Sequence, residues 1–111
     1  MAKFAIWVTV ESKPGKEQDL EEFLKGAREM AEMEPRTLTW YAVKIGQSKY
    51  AIFDTFADEV GREAHLTGEI AQALFGKGRE LLAKDPEVHK LDVLAAKAMG
   101  VMKPQEKAHG I

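Results

Sequence analysis

The chain has 111 residues, of which 45% are apolar and 31% are charged, and this length and balance predict one globular domain. Sixteen lysines and arginines stand against 18 aspartates and glutamates, and the resulting net charge of -2 argues against a nucleic-acid partner. No apolar run reaches the ~20 residues that a membrane-spanning helix requires.

The absence of cysteine excludes disulfides, thiol nucleophiles and thiolate metal sites. Residues 1–11 lack the basic segment, the apolar stretch and the cleavage site of a secretory signal. We therefore expect a cytoplasmic protein with no membrane partner.

The first predicted element is a strand over about residues 4–10, where side chains alternate with a period of two. Both alternating sets are largely apolar, which is typical of a strand that is covered on both faces. A Ser-Lys-Pro-Gly break at 12–15 ends this strand. An amphipathic helix follows from about Lys16, and Pro35 stops it.

The middle of the chain predicts a β-hairpin, because residues 37–46 and 50–56 are rich in β-branched and aromatic types. Asp58 is placed to cap a short helix through about Leu66, and Thr67 to cap another that ends before Asp-Pro at 85–86.

Residues 88–96 alternate again and predict a fourth strand. The tail, 97–111, shows neither period, and we expect it to be flexible or to pack on a partner chain.

The order β-α-β-β-α-β predicts a ferredoxin-like α+β fold in a single domain over residues 1–96, with a four-stranded antiparallel sheet and both helices on one face. Helices cover only that face, yet the first and third strands carry apolar side chains on both faces. The second face would leave an apolar patch larger than monomers usually expose. We therefore expect an obligate homodimer in which two sheets face each other.

His65, late in the short helix after the third strand, is the first candidate for chemistry. Its imidazole titrates near neutrality, so it can move a proton or bind a substrate. The alternative, which the residue pattern alone favours, is a structural histidine bonded to a backbone carbonyl. His89 and His109 are weaker candidates, and no histidine or acidic cluster has metal-ligand spacing, so no metal site is predicted.

Asp54 lies in the middle of the third strand on an apolar side, where a carboxylate is costly unless it is bonded. It either is a functional acid or pairs with a cation, for which Arg36, Arg62 and Lys44 are available. Aromatic side chains also concentrate on the hairpin and favour core or dimer interface over a flat apolar pocket; they are Trp40, Tyr41, Tyr50, Phe53 and Phe56.

The stretch 50–66, Tyr-Ala-Ile-Phe-Asp-Thr-Phe-Ala-Asp-Glu-Val-Gly-Arg-Glu-Ala-His-Leu, resembles the antibiotic biosynthesis monooxygenase family. Lys-Pro-Gly at 13–15 and the element order extend the resemblance over about residues 3–96. It implies a dimeric α+β barrel with one pocket per chain between helices and sheet. Characterised members oxidise polycyclic phenols or quinols with molecular oxygen and without metal or flavin, and relatives degrade haem or have no established activity.

His65 matches the histidine of the family, whereas Asp54-Thr55-Phe56 departs from the strand-end tryptophan of many members. The leading hypothesis is a cofactor-independent monooxygenase that acts on a small aromatic hydroxy compound. In this hypothesis His65 and Asp54 are catalytic, while Trp40, Tyr50 and Phe56 bind the substrate. The alternative is a non-catalytic ligand-binding or stress-response dimer. A haem-binding variant comes third, because no axial-ligand constellation is present in the sequence.

Overall fold

The computed structural model describes residues 1–97 and has the predicted element order with one extra short helix. The tail from residue 98 onward, including His109, lies outside the described residues. The elements are β1 (Phe4–Glu11), α1 (Glu17–Glu32), β2 (Thr37–Lys44), β3 (Lys49–Phe56), α2 (Glu59–Leu66), α3 (Glu69–Phe75), a 3-10 helix (Lys77–Leu81) and β4 (Glu87–Asp92).

The four strands form one antiparallel sheet in the order β2-β3-β1-β4, which confirms the predicted ferredoxin-like α+β fold. The helices pack on one face over a core of alternate β1 and β3 side chains, against which Leu20 and Leu24 of α1 pack. A second, smaller cluster joins Ala27 and Ala31 of α1 to Ile70 of α3. None of the helices in the described part of the chain is long and apolar enough to cross a bilayer.

The region after α2 differs from the sequence prediction. Thr67 does not cap the next helix: it ends α2, where its hydroxyl bonds the carbonyls of Glu63 and Ala64, and α3 begins after Gly68. The predicted long helix also breaks at Gly76, where an added Cβ would lie 2.8 Å from the carbonyl oxygen of Gln72. Glycine is a weak helix former, so the chain continues there as a 3-10 turn.

β4 is shorter than the predicted 88–96 and ends at Asp92. Asp92 pairs with Phe4, the first residue of β1, and one further backbone hydrogen bond follows, from the Val93 N–H to the Lys3 carbonyl at 2.9 Å. The alternation that continues in the sequence to residue 96 extends beyond the residues of β4 that pair with β1.

Within residues 1–97 no helix packs on the second face of the sheet, which is apolar along its centre. The rings of Trp7 and Phe53 lie on it with their centroids 6.4 Å apart. Tyr41 is 55% exposed and Leu91 is 38% exposed beside them. The sheet is thus apolar on both sides, as the sequence predicts, and the part of the chain that the structure describes covers only one of them.

Candidate functional site

Helix α2 is fixed over the sheet by its cap and by one buried arginine. The Asp58 side chain caps the helix by accepting a hydrogen bond from the Gly61 N–H at 2.8 Å. Arg62, 7% exposed, donates to the carbonyl of Leu91 at 3.1 Å and pairs with Glu59. These contacts hold the helix so that its last turn, which carries His65, lies against β3.

The imidazole of His65 lies between two carboxylates. Its Nδ1 is 2.7 Å from Glu34 Oε1, and its Nε2 is 2.7 Å from Asp54 Oδ2. The ring also packs against Phe56 with a centroid distance of 5.3 Å, and the side chain is only 8% exposed. His65 is therefore bonded to side-chain acids, and the expectation of a backbone carbonyl partner is wrong.

Glu34, in the connection between α1 and β2, is the part of this cluster that sequence reasoning missed. The same Oε1 that meets His65 accepts a hydrogen bond from the Thr37 hydroxyl at 2.6 Å. Its side chain is 20% exposed, so it is the carboxylate that reaches solvent, whereas Asp54 is fully buried. The only sequence signal was its place directly before Pro35, where helix α1 had to end.

Asp54 is on the same face as the core and is 0% exposed. The 2.7 Å contact with His65 has ion-pair distance but not hydrogen-bond alignment, so within residues 1–97 neither carboxylate oxygen accepts a well-formed hydrogen bond. None of the cations that the sequence offered pairs with it. Arg36 lies 3.7 Å from Asp58 and Lys44 lies 2.8 Å from Glu21.

Burial and charge act in opposite directions on this pair. Burial raises the pKa of Asp54, and the neighbouring imidazole only partly offsets that effect. Burial alone would lower the pKa of His65, but the close contacts with the carboxylates of Asp54 and then Glu34, and their charges, outweigh it, so the pKa of His65 is raised. The cluster therefore holds its proton on the imidazole more tightly than a free histidine would.

A cavity of ≈ 410 Å³ opens beside this cluster, within the range of small-molecule sites. Its polar side consists of Glu34, Arg36, Thr37, His65 and Glu69. The apolar wall comes from the end of α1, the connection to β2 and α2, and it consists of Met30, Met33, Pro35 and Ala64. A carboxylate–imidazole pair at the edge of an apolar space can accept a proton from a bound hydroxyl.

The structure separates the other predicted site residues. Trp40 lines a second cavity of ≈ 250 Å³, which shares Glu34 and Thr37 with the first. Tyr50 and Phe56 are buried in the main core and do not line either space. The Tyr50 hydroxyl instead donates to Glu21 at 2.7 Å, and burial together with that carboxylate raises its pKa to about 12. Substrate binding by Tyr50 and Phe56 stays a prediction.

Residues 1–97 contain no group of three histidine or acidic side chains arranged to hold a metal ion. His89 is on β4, 3.8 Å from Glu87, at a solvent-exposed position.

No protein-family model matches the sequence, and no curated protein matches it. Several solved structures do match this chain. The protein NE2512 of unknown function from Nitrosomonas europaea is 45% identical, with a TM-score of 0.86 over 89% of this chain and 96% of that one. A proposed antibiotic biosynthesis monooxygenase from Caulobacter crescentus is 15% identical, with a TM-score of 0.74 over 85% and 92%. Rv0793 from Mycobacterium tuberculosis is 13% identical, with a TM-score of 0.76 over 87% and 100%.

The two structures at low identity share their fold with this chain. The chain therefore has the α+β fold that the proposed antibiotic biosynthesis monooxygenase from Caulobacter crescentus also has. Identity with the Nitrosomonas europaea protein is high over nearly the whole of both chains. The chain belongs to the family of NE2512.

Proposed function

We propose that the protein is a cofactor-independent monooxygenase that oxidises a small aromatic hydroxy compound, such as an anthrone or a quinol, with molecular oxygen. The observation that carries the proposal is the Glu34–His65–Asp54 cluster at the edge of an apolar cavity. The fold shared with a proposed antibiotic biosynthesis monooxygenase supports it.

The first step is removal of a proton from the substrate. Glu34 is the carboxylate that faces the cavity, so it accepts the proton of the bound hydroxyl or enol. His65, whose pKa the two neighbouring acids raise, stabilises the anion that forms. Asp54 does not line the cavity and is a positioning residue that holds the imidazole.

The electron-rich anion then reacts with oxygen. For an anthrone, the reacting CH2 carbon loses two hydrogens and gains one oxygen atom from O2, while the second oxygen atom leaves with both hydrogens as water. Atoms and electrons balance with O2 as the only oxidant. Met30, Met33 and Ala64 give the ring of this anion an apolar wall to pack against.

Oxygen uptake with a panel of anthrones and quinols tests this proposal. We expect at least one compound to be consumed faster than it autoxidises, and Glu34→Gln or His65→Gln to lower that rate by about 100-fold or more. Glu29→Gln is the matched control, because Glu29 is an exposed acid of α1 that does not line the cavity.

A non-catalytic ligand-binding role is the second candidate, and one observation favours it. Both ring nitrogens of His65 already contact carboxylates, which is also how a purely structural histidine is held. Tight binding of an anthrone without any oxygen uptake above autoxidation would favour this reading and contradict the enzyme.

The proposed assembly is a homodimer in which the apolar second faces of two sheets meet. An isologous contact would cover Trp7, Phe53 and Tyr41 of both copies at once. The cavity beside His65 lies on the helix side of the sheet, so this contact leaves it open.

A further inference from the structure

Gly68, at the junction of α2 and α3, lines the cavity beside His65 and has no side chain. A Cβ added at this position would lie 3.2 Å from Glu34 Oε2 and also 3.2 Å from the carbonyl oxygen of Ala64. These separations are tighter than most contacts that a methyl carbon makes in proteins. A side chain at this position would therefore compete with the Glu34 carboxylate for the same space.

The two oxygens of the Glu34 carboxylate have different surroundings. Oε1 lies 2.7 Å from His65 Nδ1 and accepts a hydrogen bond from the Thr37 hydroxyl at 2.6 Å. Within residues 1–97 no hydrogen bond reaches Oε2, which is the oxygen beside Gly68. Because Oε1 is already bonded twice, Oε2 is the oxygen that remains to accept a proton from a bound hydroxyl.

The backbone around Gly68 is held by hydrogen bonds, whereas the Glu34 carboxylate is the end of a flexible side chain. The Gly68 N–H donates to the His65 carbonyl at 3.1 Å, and the Thr67 hydroxyl donates to the Ala64 carbonyl at 3.3 Å. A methyl group added at Gly68 would therefore move the carboxylate and not the end of the helix.

The backbone of Glu34 is also fixed, because the connection between α1 and β2 lies close to the start of α2. A Cβ added at Gly61 would lie 3.1 Å from Arg36 Cβ and 3.2 Å from the Arg36 carbonyl oxygen. The Glu34 N–H donates to the Ala31 carbonyl at 3.1 Å, and the Glu34 carbonyl accepts from the Thr37 N–H at 3.3 Å. Only the side chain of Glu34 is left to adjust.

We propose that Gly68 is a positioning residue of the site, because its missing side chain leaves the space in which the Glu34 carboxylate contacts His65 through one oxygen and faces the cavity with the other. Resting on the proposed function, Oε2 is the atom that receives the substrate proton, and Gly68 leaves the approach to it open. A side chain at this position would displace the carboxylate from the imidazole and cover the oxygen that faces the ligand.

NMR titration of the His65 imidazole tests the position of Glu34 in the ligand-free protein. Burial lowers the pKa of His65, and the contacts with Asp54 and then Glu34 raise it above its ordinary value. Gly68→Ala moves the Glu34 carboxylate away, so we expect it to lower the titration midpoint of His65. Glu34→Gln should lower the midpoint further, because it removes the charge altogether. In the Glu34→Gln background, Gly68→Ala should produce no additional shift.

Gly26→Ala is the matched control, because Gly26 is an exposed glycine of α1 where an added Cβ meets nothing within 4 Å. It should leave the midpoint at the wild-type value. Arg36 and Glu69 also line the cavity, but they are unchanged in every variant, so their charges cancel from the comparison.

If Gly68→Ala fails to fold, the wild type supplies a second measurement. The close approach of Gly68 to Glu34 should give nuclear Overhauser effects between the Gly68 Hα protons and the side-chain protons of Glu34. Their absence would overturn the inference. A His65 midpoint that Gly68→Ala leaves unchanged, or shifts equally in the Glu34→Gln background, would overturn it as well.

Oxygen uptake with the panel of anthrones and quinols separates this inference from the proposed function. We expect Gly68→Ala to lower the uptake by about 10-fold or more, because the proton acceptor is displaced, and Gly26→Ala to leave it unchanged. A lowered His65 midpoint in a protein without oxygen uptake keeps Gly68 as the residue that positions Glu34 and rejects the enzyme. Uptake that Gly68→Ala leaves unchanged keeps the enzyme and overturns this inference.

Discussion

At the scale of single residues, the unusual feature is an imidazole that bridges a buried and a half-buried acid. The Asp54 carboxylate is buried away from water, the Glu34 carboxylate lines the cavity, and the His65 imidazole contacts both. Buried acids are tolerated only when a cation or donors compensate them. The folded protein consequently binds the proton of His65 more strongly than the unfolded chain does.

This proton linkage predicts how stability changes with pH. The raised pKa of His65 gives stabilisation that is fully present below the unfolded value of about 6.5 and is lost as pH rises through the folded value. The raised pKa of Asp54 acts with the same sign at lower pH, because there too the folded state binds more protons. We expect the free energy of unfolding in urea to fall above pH 6.5, by up to about 1.4 kcal/mol per pH unit.

His65→Gln should flatten this decline, because it removes the imidazole whose pKa is raised. A wild-type unfolding free energy that stays constant or rises between pH 6.5 and 9 would contradict the linkage.

Asp54, His65 and Glu34 also show which parts of the site could be predicted from the sequence. Asp54 and His65 could be selected from the sequence because a mid-strand acid and a helix-end histidine are both unusual in an apolar setting. Their pairing could not be predicted, since it depends on where α2 crosses β3. Glu34 was not selected, because α1 carries many solvated glutamates and the only mark of this one is its place directly before Pro35.

At the scale of elements, α2 is a short helix whose position is set by side chains and not by its own length. Arg62 reaches past the helix to the backbone of β1 and β4, and its guanidinium stacks 4.9 Å above the ring of Phe4. The strand alternation and the Asp58 cap were predictable from local pattern. This arginine was not, because on a helical wheel it looks like any exposed cation.

Removing the guanidinium should loosen α2 and, with it, the position of His65. We expect Arg62→Met to destabilise the protein by about 1–3 kcal/mol, because two strand carbonyls lose a buried donor. Arg28→Met is the matched control on the solvated side of α1, where the ion pair with Glu32 should contribute less than about 0.5 kcal/mol. Urea unfolding measures both, and equal effects of the two variants would count against the anchoring role of Arg62.

At the scale of the whole molecule, the sheet has one face under helices and one apolar face open. The fold class followed from the sequence, because strand periodicity and turn residues marked nearly every element. The open face was also foreseeable from β1, which carries apolar side chains on both sides. The end of β4 was not, since it depends on where its neighbour begins.

Because the open face is apolar, we expect that a charged residue placed on it changes the oligomeric state of the protein. We expect the wild type to sediment as a dimer at micromolar concentration, and Trp7→Glu to sediment as a folded monomer, because the new carboxylate would be buried in the contact. Phe75→Glu is the control: Phe75 is 45% exposed, but on α3, so the dimer should persist. A wild type that sediments as a monomer would remove the basis for this assembly.

Strand β3 contributes both to the open apolar face and to the cluster around His65, through two adjacent residues. Phe53 faces the open side and Asp54 faces His65, one peptide bond apart. Inserting or deleting one residue inside this strand would exchange the two sides and place an acid in the contact and a phenyl ring beneath the imidazole. We therefore expect relatives to differ in the length of the connection at 45–48 that precedes β3, and to show no insertions or deletions within β3 itself.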